Sequence, residues 1–182
     1  MNNNHNISSK TKNMVICAIF VALITICSWI SIPTAVPFTM QTFAIFLCAG
    51  LLGTKRSILS IICWILIGVA GIPVFAGFQS GPSVILGPLG GYILGFIALA
   101  LIVGIASEKL GRKYPVLIIS MTAGLAVCYL FGTVWFVYFY GQSTGPIGFT
   151  AALSTCVIPF VIPDLAKLAA AVVLVKRLEK FV

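Results

Sequence analysis

The sequence predicts an all-α membrane protein with six transmembrane helices and both termini in the cytoplasm, and three observations support this fold class. The composition is the first: 60% of the 182 residues are hydrophobic, 8% are charged, and the mean hydropathy is +1.17. No soluble domain needs this much apolar surface. The second observation is the series of long apolar runs. The third is that the short segments between these runs are alternately basic and uncharged.

A helix needs about 20 apolar residues to cross the roughly 30 Å hydrocarbon layer of a membrane. Six runs are candidate spans, near residues 13–32, 41–54, 57–76, 88–107, 114–140 and 150–175. The second run is short, so we expect it to be tilted, merged with the preceding loop or only partly spanning. Five spans is the alternative count.

The basic residues predict the orientation. Ten of the eleven Lys and Arg residues fall in breaks on one side of the predicted bundle: Lys10, Lys12, Lys55, Arg56, Lys109, Arg112, Lys113, Lys176, Arg177 and Lys180. The breaks on the other side, near residues 33–40, 77–87 and 141–149, carry no charge. The positive-inside rule therefore places both termini in the cytoplasm. The net charge of +8 reflects this topology and does not indicate a nucleic-acid partner.

No soluble domain or long linker interrupts the runs, so residues 1–182 are expected to form a single integral membrane domain. Residues 1–9 are rich in Asn and Ser and are predicted to form a disordered tail. The run from Met14 to Ile32 is longer than a usual signal-peptide core and has no clear cleavage site. We therefore expect an uncleaved first helix.

Asp164 and Lys167 are the two charged residues that cannot lie at a membrane surface, because they fall inside the apolar run from Phe149 to Leu174. Their i, i+3 spacing puts them on one helix face, about 5–6 Å apart. Lys167 precedes the basic residue Lys176 by about 14 Å of helical rise, which is near the middle of a membrane. Ionisable groups at that depth are costly and usually functional. We expect a small-molecule site there; the alternative is a structural ion pair.

Prolines in the same run point to backbone irregularity. Pro159 and Pro163 each lack an N–H, so the carbonyls of Thr155 and Pro159 need partners other than the usual helical donor. Neighbouring helices, water or a ligand would have to supply those donors.

Motifs for metal and enzyme chemistry are missing from the sequence. The six cysteines are scattered without a CxxC pair, and His5 is the only histidine, so no metal, cofactor or disulfide is expected. No HExxH, GxSxG or GxxxxGK[ST] motif occurs, and GLLGTKR at 50–56 has the wrong spacing for a phosphate-binding loop. We therefore expect a protein that is not an enzyme.

The stretch from Gly68 to Phe96 is the least uniform of the chain, with eight of the seventeen glycines and three prolines. Such a density interrupts a helix and predicts a structured loop, read either as a lid over a ligand or as a compact turn. Gln79, Ser80 and Ser83 are the polar side chains of this stretch that could contact a ligand. The glycine stripe Gly87, Gly91 and Gly95 predicts close packing of helices within the chain.

Two further segments have binding character. The loop from Pro33 to Phe43 contains Phe38, Thr39 and Gln41 beside prolines, which suits an apolar ring with polar edges, although an interfacial turn explains it equally well. Helix 1 carries Ala18 and Ala22 in an AxxxA spacing that could seat a partner helix.

Across nearly its whole length the chain resembles the BioY family, the biotin-specific substrate-binding (S) components of energy-coupling factor (ECF) transporters. The motifs that carry the resemblance are PFTMQTF (37–43), GIPVFAG (71–77), GPLGGYILGF (87–96) and PDLAK (163–167), together with AIFVA (18–22).

The resemblance implies an S-component-like bundle in the prokaryotic plasma membrane that captures biotin from the outer face. Its partners would be the transmembrane coupling protein EcfT, which docks at Ala18 and Ala22, and two ABC ATPase subunits that power uptake. The implied biotin site contains residues from four motifs and, in the loop between two of them, Gln79 and Ser80. Its full set is Asp164, Lys167, Gln79, Ser80, Tyr92, Gln41, Thr39, Phe38 and Phe75.

The chemistry of biotin is compatible with such a site. Asp164 would accept hydrogen bonds from the ureido N–H groups, while Lys167 would donate either to the ureido carbonyl or to the carboxylate. Two other classes stay open from the residues alone: a stand-alone proton-coupled carrier of a vitamin, with Asp164 as its proton site, and an intramembrane enzyme.

Overall fold

The computed structural model describes the backbone of residues 3–33, 37–143 and 145–181, with side chains from Lys10 onward except Ser143. The described chain is mostly helical, as predicted. Its helices are α1 (Asn3–Trp29), α2 (Gln41–Val69), α3 (Pro82–Ile85), α4 (Gly90–Lys109), α5 (Tyr114–Ser143), α6 (Phe149–Cys156) and α7 (Ile158–Leu178). Two short strands, β1 (Ser31–Ile32) and β2 (Phe38–Thr39), pair antiparallel, and one-turn 3₁₀ helices span Ala76–Phe78 and Glu179–Phe181.

Five of these helices are long and apolar enough to cross a membrane, judged over the described residues: Lys10–Trp29, Gln41–Val69, Gly90–Lys109, Tyr114–Gln142 and Ile158–Phe181. The class of a helical membrane protein is therefore confirmed. The predicted second span, 41–54, and most of the third, 57–76, lie in the single element α2, which ends at Val69.

Helix α2 is broken at Gly53, where φ is 73° and ψ is −170°. A continuous helix of this length would extend about 43 Å. Instead, both of its ends lie at the C-terminal end of α1. Met40 N–H donates to the carbonyls of Cys27 and Ile30 there, and Gly68 at the other end of α2 packs on Phe75, in the loop that Ser28 holds. The chain therefore turns back at Gly53, and the two halves of α2 run in opposite directions.

Charged side chains hold this reversal. The Glu108 carboxylate accepts from the Thr54 N–H at 2.9 Å and from the Thr54 hydroxyl at 2.8 Å. Arg112 donates to the carbonyls of Gly50 at 2.8 Å and Leu51 at 2.6 Å. An anion thus meets the N-terminus of one half of α2 and a cation meets the C-terminus of the other, the arrangement that helix dipoles favour.

The predicted sixth helix, 150–175, is divided into α6 and α7 at Val157, whose φ of −123° and ψ of −55° are not helical. Pro159 explains the division, because its ring would clash with the Thr155 carbonyl in a continuous helix and it has no N–H to donate. The Phe160 N–H donates to the Val157 carbonyl at 2.9 Å and restarts the helical pattern. Pro163 lies inside α7 without ending it.

Helices α4 and α5 interlock through glycine, and the predicted stripe on α4 does pack within the chain. A Cβ atom built on Gly91 would lie 2.2 Å from Trp135, and one built on Gly95 would lie 2.9 Å from Cys128. The relationship is reciprocal, since Gly132 of α5 approaches Tyr92 of α4 in the same way. Small residues on both helices therefore allow close contact.

The N-terminal stretch differs in part from expectation. The backbone of α1 is helical from Asn3 onward, within the range 1–9 for which the sequence predicts a disordered tail. Met1 and Asn2, and the side chains of residues 3–9, lie outside the described residues, so the tail stays a prediction.

Candidate ligand-binding site

Asp164 and Lys167 form a buried ion pair on α7. Lys167 Nζ lies 2.6 Å from Asp164 Oδ1, and the two residues are 3% and 7% exposed. This is the i, i+3 contact predicted from the spacing. In the described part of the chain, they are the only charged residues that are buried.

Side chains from two other helices complete the surroundings of Asp164. Thr42 at the start of α2 donates its hydroxyl to Oδ1 at 2.9 Å, and Tyr129 of α5 donates its hydroxyl to Oδ2 at 2.5 Å. Hydrogen bonds to a charged acceptor are the stronger kind. Three helices, α2, α5 and α7, therefore converge on one carboxylate.

Lys167 connects the same helix to the loop before α2. Its ammonium donates to the Thr39 carbonyl at 2.6 Å and lies 3.4 Å from the Thr42 hydroxyl. It also lies 4.2 Å from the ring centroid of Phe38, a cation–π contact that stabilises a desolvated cation. Phe38 stacks on Phe160 of α7, with ring centroids 6.0 Å apart. Lys167 thus holds strand β2 against α7.

The ion pair opens onto a narrow cavity of about 80 Å³. Its walls come from the first loop and from α2, α4, α5, α6 and α7: Pro37, Thr39, Gln41, Thr42, Tyr92, Phe96, Cys128, Tyr129, Cys156, Phe160, Asp164 and Lys167. Tyr92 is itself positioned by a hydrogen bond of 3.0 Å between its hydroxyl and that of buried Thr133.

A wide cavity of about 220 Å³ lies next to the narrow one. Its walls come from the first loop and the start of α2, from the 3₁₀ turn and its flanks, and from α3 and the start of α4: Pro37, Gln41, Phe75, Ala76, Gln79, Ser83, Val84, Gly87, Pro88, Leu89, Tyr92, Ile93 and Phe96. Four of these, Pro37, Gln41, Tyr92 and Phe96, also line the narrow cavity. The two cavities are therefore adjoining compartments, one ending at an ion pair and one mostly apolar.

The residues predicted from the sequence take different positions around these cavities. Asp164, Lys167 and Thr39 line the narrow one, Gln41 and Tyr92 line both, and Phe75 and Gln79 line the wide one. Phe38 lies under the Lys167 ammonium. Ser80 is not part of either lining, and the hydroxyl that lines the wide cavity is that of Ser83.

Sequence reasoning missed the polar partners that neighbouring helices bring to the pair. Thr42 and Tyr129 contact Asp164 directly, and Cys128 and Cys156 line the narrow cavity beside them. One feature of the sequence does point to Tyr129: its phenol hydroxyl lies deep inside an apolar run, where it needs a hydrogen-bond partner. Nothing in the sequence indicates that this partner is Asp164.

The two alanines of the AxxxA spacing line neither cavity. Ala18 and Ala22 are exposed on α1, between the exposed side chains of Val15, Ile19 and Ile26. This face of α1 contacts no other described part of the chain closely enough to be buried. It is therefore open to lipid or to another protein.

The chemistry offered by the site is that of recognition. It presents a paired carboxylate and ammonium, phenol, hydroxyl and amide groups, and aromatic walls. No group of three or more His, Cys, Asp or Glu side chains suited to a metal ion occurs among the described residues. Fold and site together define a helical membrane protein whose cavities suit a small molecule with polar ends and an apolar body.

Comparison with known proteins narrows this class. The family model described as the BioY family matches residues 1–182. The chain is 39% identical over 170 residues to the biotin transporter BioY of Thermotoga maritima, covering 93% of this chain and 96% of that protein. It is also 39% identical over 171 residues to a probable biotin transporter BioY of Pyrococcus horikoshii, covering 93% and 98%.

A solved structure agrees with these relatives. The S component for biotin from an ECF-type ABC transporter superposes with a TM-score of 0.84 at 29% identity, covering 99% of this chain and 95% of that one. The chain belongs to the BioY family. It is accordingly a component of a transporter and not an enzyme.

Proposed function

We propose that this chain captures biotin as the S component of an ECF-type ABC transporter, in the two adjoining cavities that end at Asp164 and Lys167. The observation that carries the proposal is the buried ion pair facing a ligand-sized space. Its relatives named as biotin transporters supply the identity of the ligand.

The ureido ring of biotin is assigned to the narrow cavity. A carboxylate has about four acceptor positions, and Lys167, Thr42 and Tyr129 occupy three of those of Asp164, which leaves room for a ureido N–H. The three N–H groups of Lys167 already point at Asp164, Thr39 and Thr42. The bond to Thr42 is the longest at 3.4 Å, so it is the easiest to exchange for the ureido carbonyl.

The rest of the ligand then extends into the wide cavity. The thioether ring would contact Tyr92 and Phe96, which line both compartments. The tail carboxylate would be solvated by the amides of Gln41 and Gln79 and the hydroxyl of Ser83. In the opposite orientation, Lys167 would pair with the carboxylate.

Biotin methyl ester distinguishes these orientations, because it keeps the ureido ring and removes the negative charge. Binding within about threefold of that of biotin supports the ureido ring at the ion pair. A loss of 100-fold or more, abolished by Lys167→Met, would instead place the carboxylate at Lys167. The 100-fold loss corresponds to the few kcal/mol that a buried charge pair would contribute to binding.

Six crossings with both termini in the cytoplasm form part of the proposal. The reversal at Gly53 gives α2 two antiparallel halves. The reversal also lies near basic residues: Arg56 reaches Asn13, and Arg112 binds Gly50. The opposite end of the bundle carries the loops without charge. The positive-inside rule then assigns the Gly53 end to the cytoplasm of a prokaryotic cell.

The partners are proposed to be a transmembrane coupling protein of the EcfT kind and two ABC ATPase subunits. The sequence contains no phosphate-binding loop of its own, so ATP hydrolysis would take place on other chains. The exposed Ala18 and Ala22 face of α1 offers a smooth surface for a helix of the coupling protein.

The test is calorimetric titration of the purified full-length chain with biotin, thiamine and riboflavin. Saturable binding of biotin alone is the expected result. Binding of another vitamin, with no binding of biotin, would overturn the assignment of biotin as the substrate but not the class of transporter. Absence of binding by a correctly folded chain to all three would overturn the proposed function.

A further inference from the structure

The segment from Ile72 to Gln79 contributes one wall of the wide cavity, through Phe75, Ala76 and Gln79. Its base is firmly held. The Val74 carbonyl accepts from the Ser28 hydroxyl at 2.5 Å and from Trp64 Nε1 at 3.2 Å. Phe75 is 1% exposed and packs edge-on against Trp64, with ring centroids 5.1 Å apart. The base of the segment is therefore part of the core.

The tip of the segment is held differently. Phe78 has a φ of 58°, the only positive φ of a non-glycine residue in the described chain. It follows Gly77, whose φ of 65° is also left-handed. A phenylalanine in this region is strained, so the surrounding structure must hold it there. Two backbone bonds close the turn: the Gln79 N–H donates to the Ala76 carbonyl at 3.4 Å, which is long, and the Phe75 N–H donates to the Gln79 carbonyl at 3.1 Å. Neither bond involves Phe78 itself.

Trp29 is the residue that contacts the strained position. Its ring stacks on Phe78, with centroids 5.1 Å apart and planes 28° from parallel. Its Nε1 donates to the Pro73 carbonyl at 2.8 Å. The Phe78 side chain is otherwise largely open, with 62% of the residue exposed. Trp29 therefore joins the end of α1 to the tip that carries Gln79.

We propose that Trp29 is a positioning residue for the ligand: by stacking on Phe78 it holds the left-handed turn that places Gln79 in the wall of the wide cavity, and so sets how fast a bound ligand leaves. This inference rests on the proposed function, because the ligand used to test it is biotin. It concerns the rate of release, which the affinity of the ion pair alone does not determine.

The consequence of losing the stack follows from the strain. Without Trp29, Phe78 relaxes to a negative φ, and the peptide that follows rotates. Gln79 comes next in the chain, and its carbonyl stays bound to the Phe75 N–H. The change therefore reaches the cavity wall as a rotation of the Gln79 side chain. The base of the segment stays in place because Ser28 and Trp64 still bind the Val74 carbonyl. The cavity is then open at one wall while the ion pair is unchanged.

The experiment measures dissociation of labelled biotin from the full-length chain in lipid nanodiscs. Trp29→Ala is expected to raise the dissociation rate about tenfold. Trp29→Phe keeps an aromatic stack and loses only the bond to Pro73, so its rate should stay within about twofold of the wild type. Ile72→Ala, an exposed apolar truncation at the base of the same segment, is the matched control and should leave the rate unchanged.

A double-mutant cycle isolates the stack. Glycine adopts a φ of 58° without strain, so in Phe78→Gly the turn no longer depends on Trp29. Trp29→Ala added to Phe78→Gly should therefore change the rate by less than about twofold. An unchanged rate in Trp29→Ala, a Trp29→Phe rate equal to that of Trp29→Ala, or a full tenfold effect in the glycine background would each overturn the inference.

Each of these outcomes leaves the proposed function standing, since the wild type would still bind biotin. Failure of the wild type to bind biotin would overturn the proposed function itself. Thermal unfolding of every variant, followed by circular dichroism, shows that the rates are compared between folded proteins.

Discussion

Tyr129 donates its hydroxyl to Asp164 Oδ2 at 2.5 Å, joining α5 to α7 across 35 residues of sequence. This bond makes the carboxylate a meeting point of three helices, because Thr42 of α2 binds the other oxygen. The position of Asp164 is consequently fixed before any ligand arrives. Such preorganisation lowers the ordering cost of binding.

Asp164→Asn is expected to weaken biotin binding by tenfold or more. The change removes one charge-assisted hydrogen bond, which contributes about 1.5–3 kcal/mol. Calorimetric titration measures the loss. Glu179→Gln is the matched control, because Glu179 pairs with Lys176 outside the cavities. Equal affinities for the two variants would remove Asp164 from the biotin site.

Asp164→Asn should also destabilise the protein, since it leaves the Lys167 ammonium buried without its anion. Removing one partner of a buried pair costs about 3–5 kcal/mol. The midpoint of thermal unfolding should fall clearly below that of Glu179→Gln. Bound biotin should recover only part of this difference.

Tyr129→Phe is expected to weaken biotin binding about tenfold while the cavity keeps its shape. The substitution removes only the hydroxyl that donates to Asp164, and hydrogen bonds to charged groups contribute about 1.5–3 kcal/mol. Tyr138→Phe deletes the same atom from an exposed tyrosine of the same helix and serves as control. If both variants titrate like the wild type, Tyr129 does not position Asp164 for binding.

Gly53→Ala should lower the unfolding midpoint by about 2–12 °C, because strain at such a position costs on the order of 1–3 kcal/mol. The new Cβ would also lie 2.2 Å from Glu108 Oε1 and displace the carboxylate from Thr54. Gly111→Ala separates the two effects, since Gly111 has a similar φ of 79° and nothing within 4 Å of its added Cβ. A midpoint no lower than that of Gly111→Ala would contradict a role for Glu108 in the reversal.

Ala18→Trp combined with Ala22→Trp should prevent co-purification with the coupling protein and abolish uptake, while the isolated chain binds biotin as before. Bulky rings on the exposed face of α1 would hold a partner helix away. Val134→Trp places the same bulk on the exposed face of α5 as a control. Uptake that persists in the double variant would exclude this face of α1 as the docking surface.

The helical class could be predicted because the apolar runs can be read directly from the order of residues along the chain. The short run 41–54 already indicated an unusual second helix. Its reversal at Gly53 depends on Glu108 and Arg112, which are distant in sequence. The break at Val157 is a local effect of Pro159. A proline in a helical run can either interrupt the helix, as Pro159 does, or lie inside it, as Pro163 does in α7. Sequence alone does not distinguish them.

The candidate site, too, could be predicted from the sequence only in part. The Asp164 and Lys167 contact follows from an i, i+3 spacing on one helix. Thr42 and Tyr129 reach the carboxylate only because α2 and α5 pack beside α7, and that packing is a tertiary property. Ser80 and Ser83 show the limit for loops: both hydroxyls were visible in the sequence, and the turn geometry brings only Ser83 to the cavity lining.

The reciprocal glycine contacts of α4 and α5 determine which parts of the protein can move. A slide of one helical turn would bring Tyr92 against Cys128 or Phe136, where it now meets Gly132. The two helices must therefore travel as one body. Since Tyr92 and Tyr129 belong to these two helices, the walls that they contribute to the narrow cavity keep a fixed spacing.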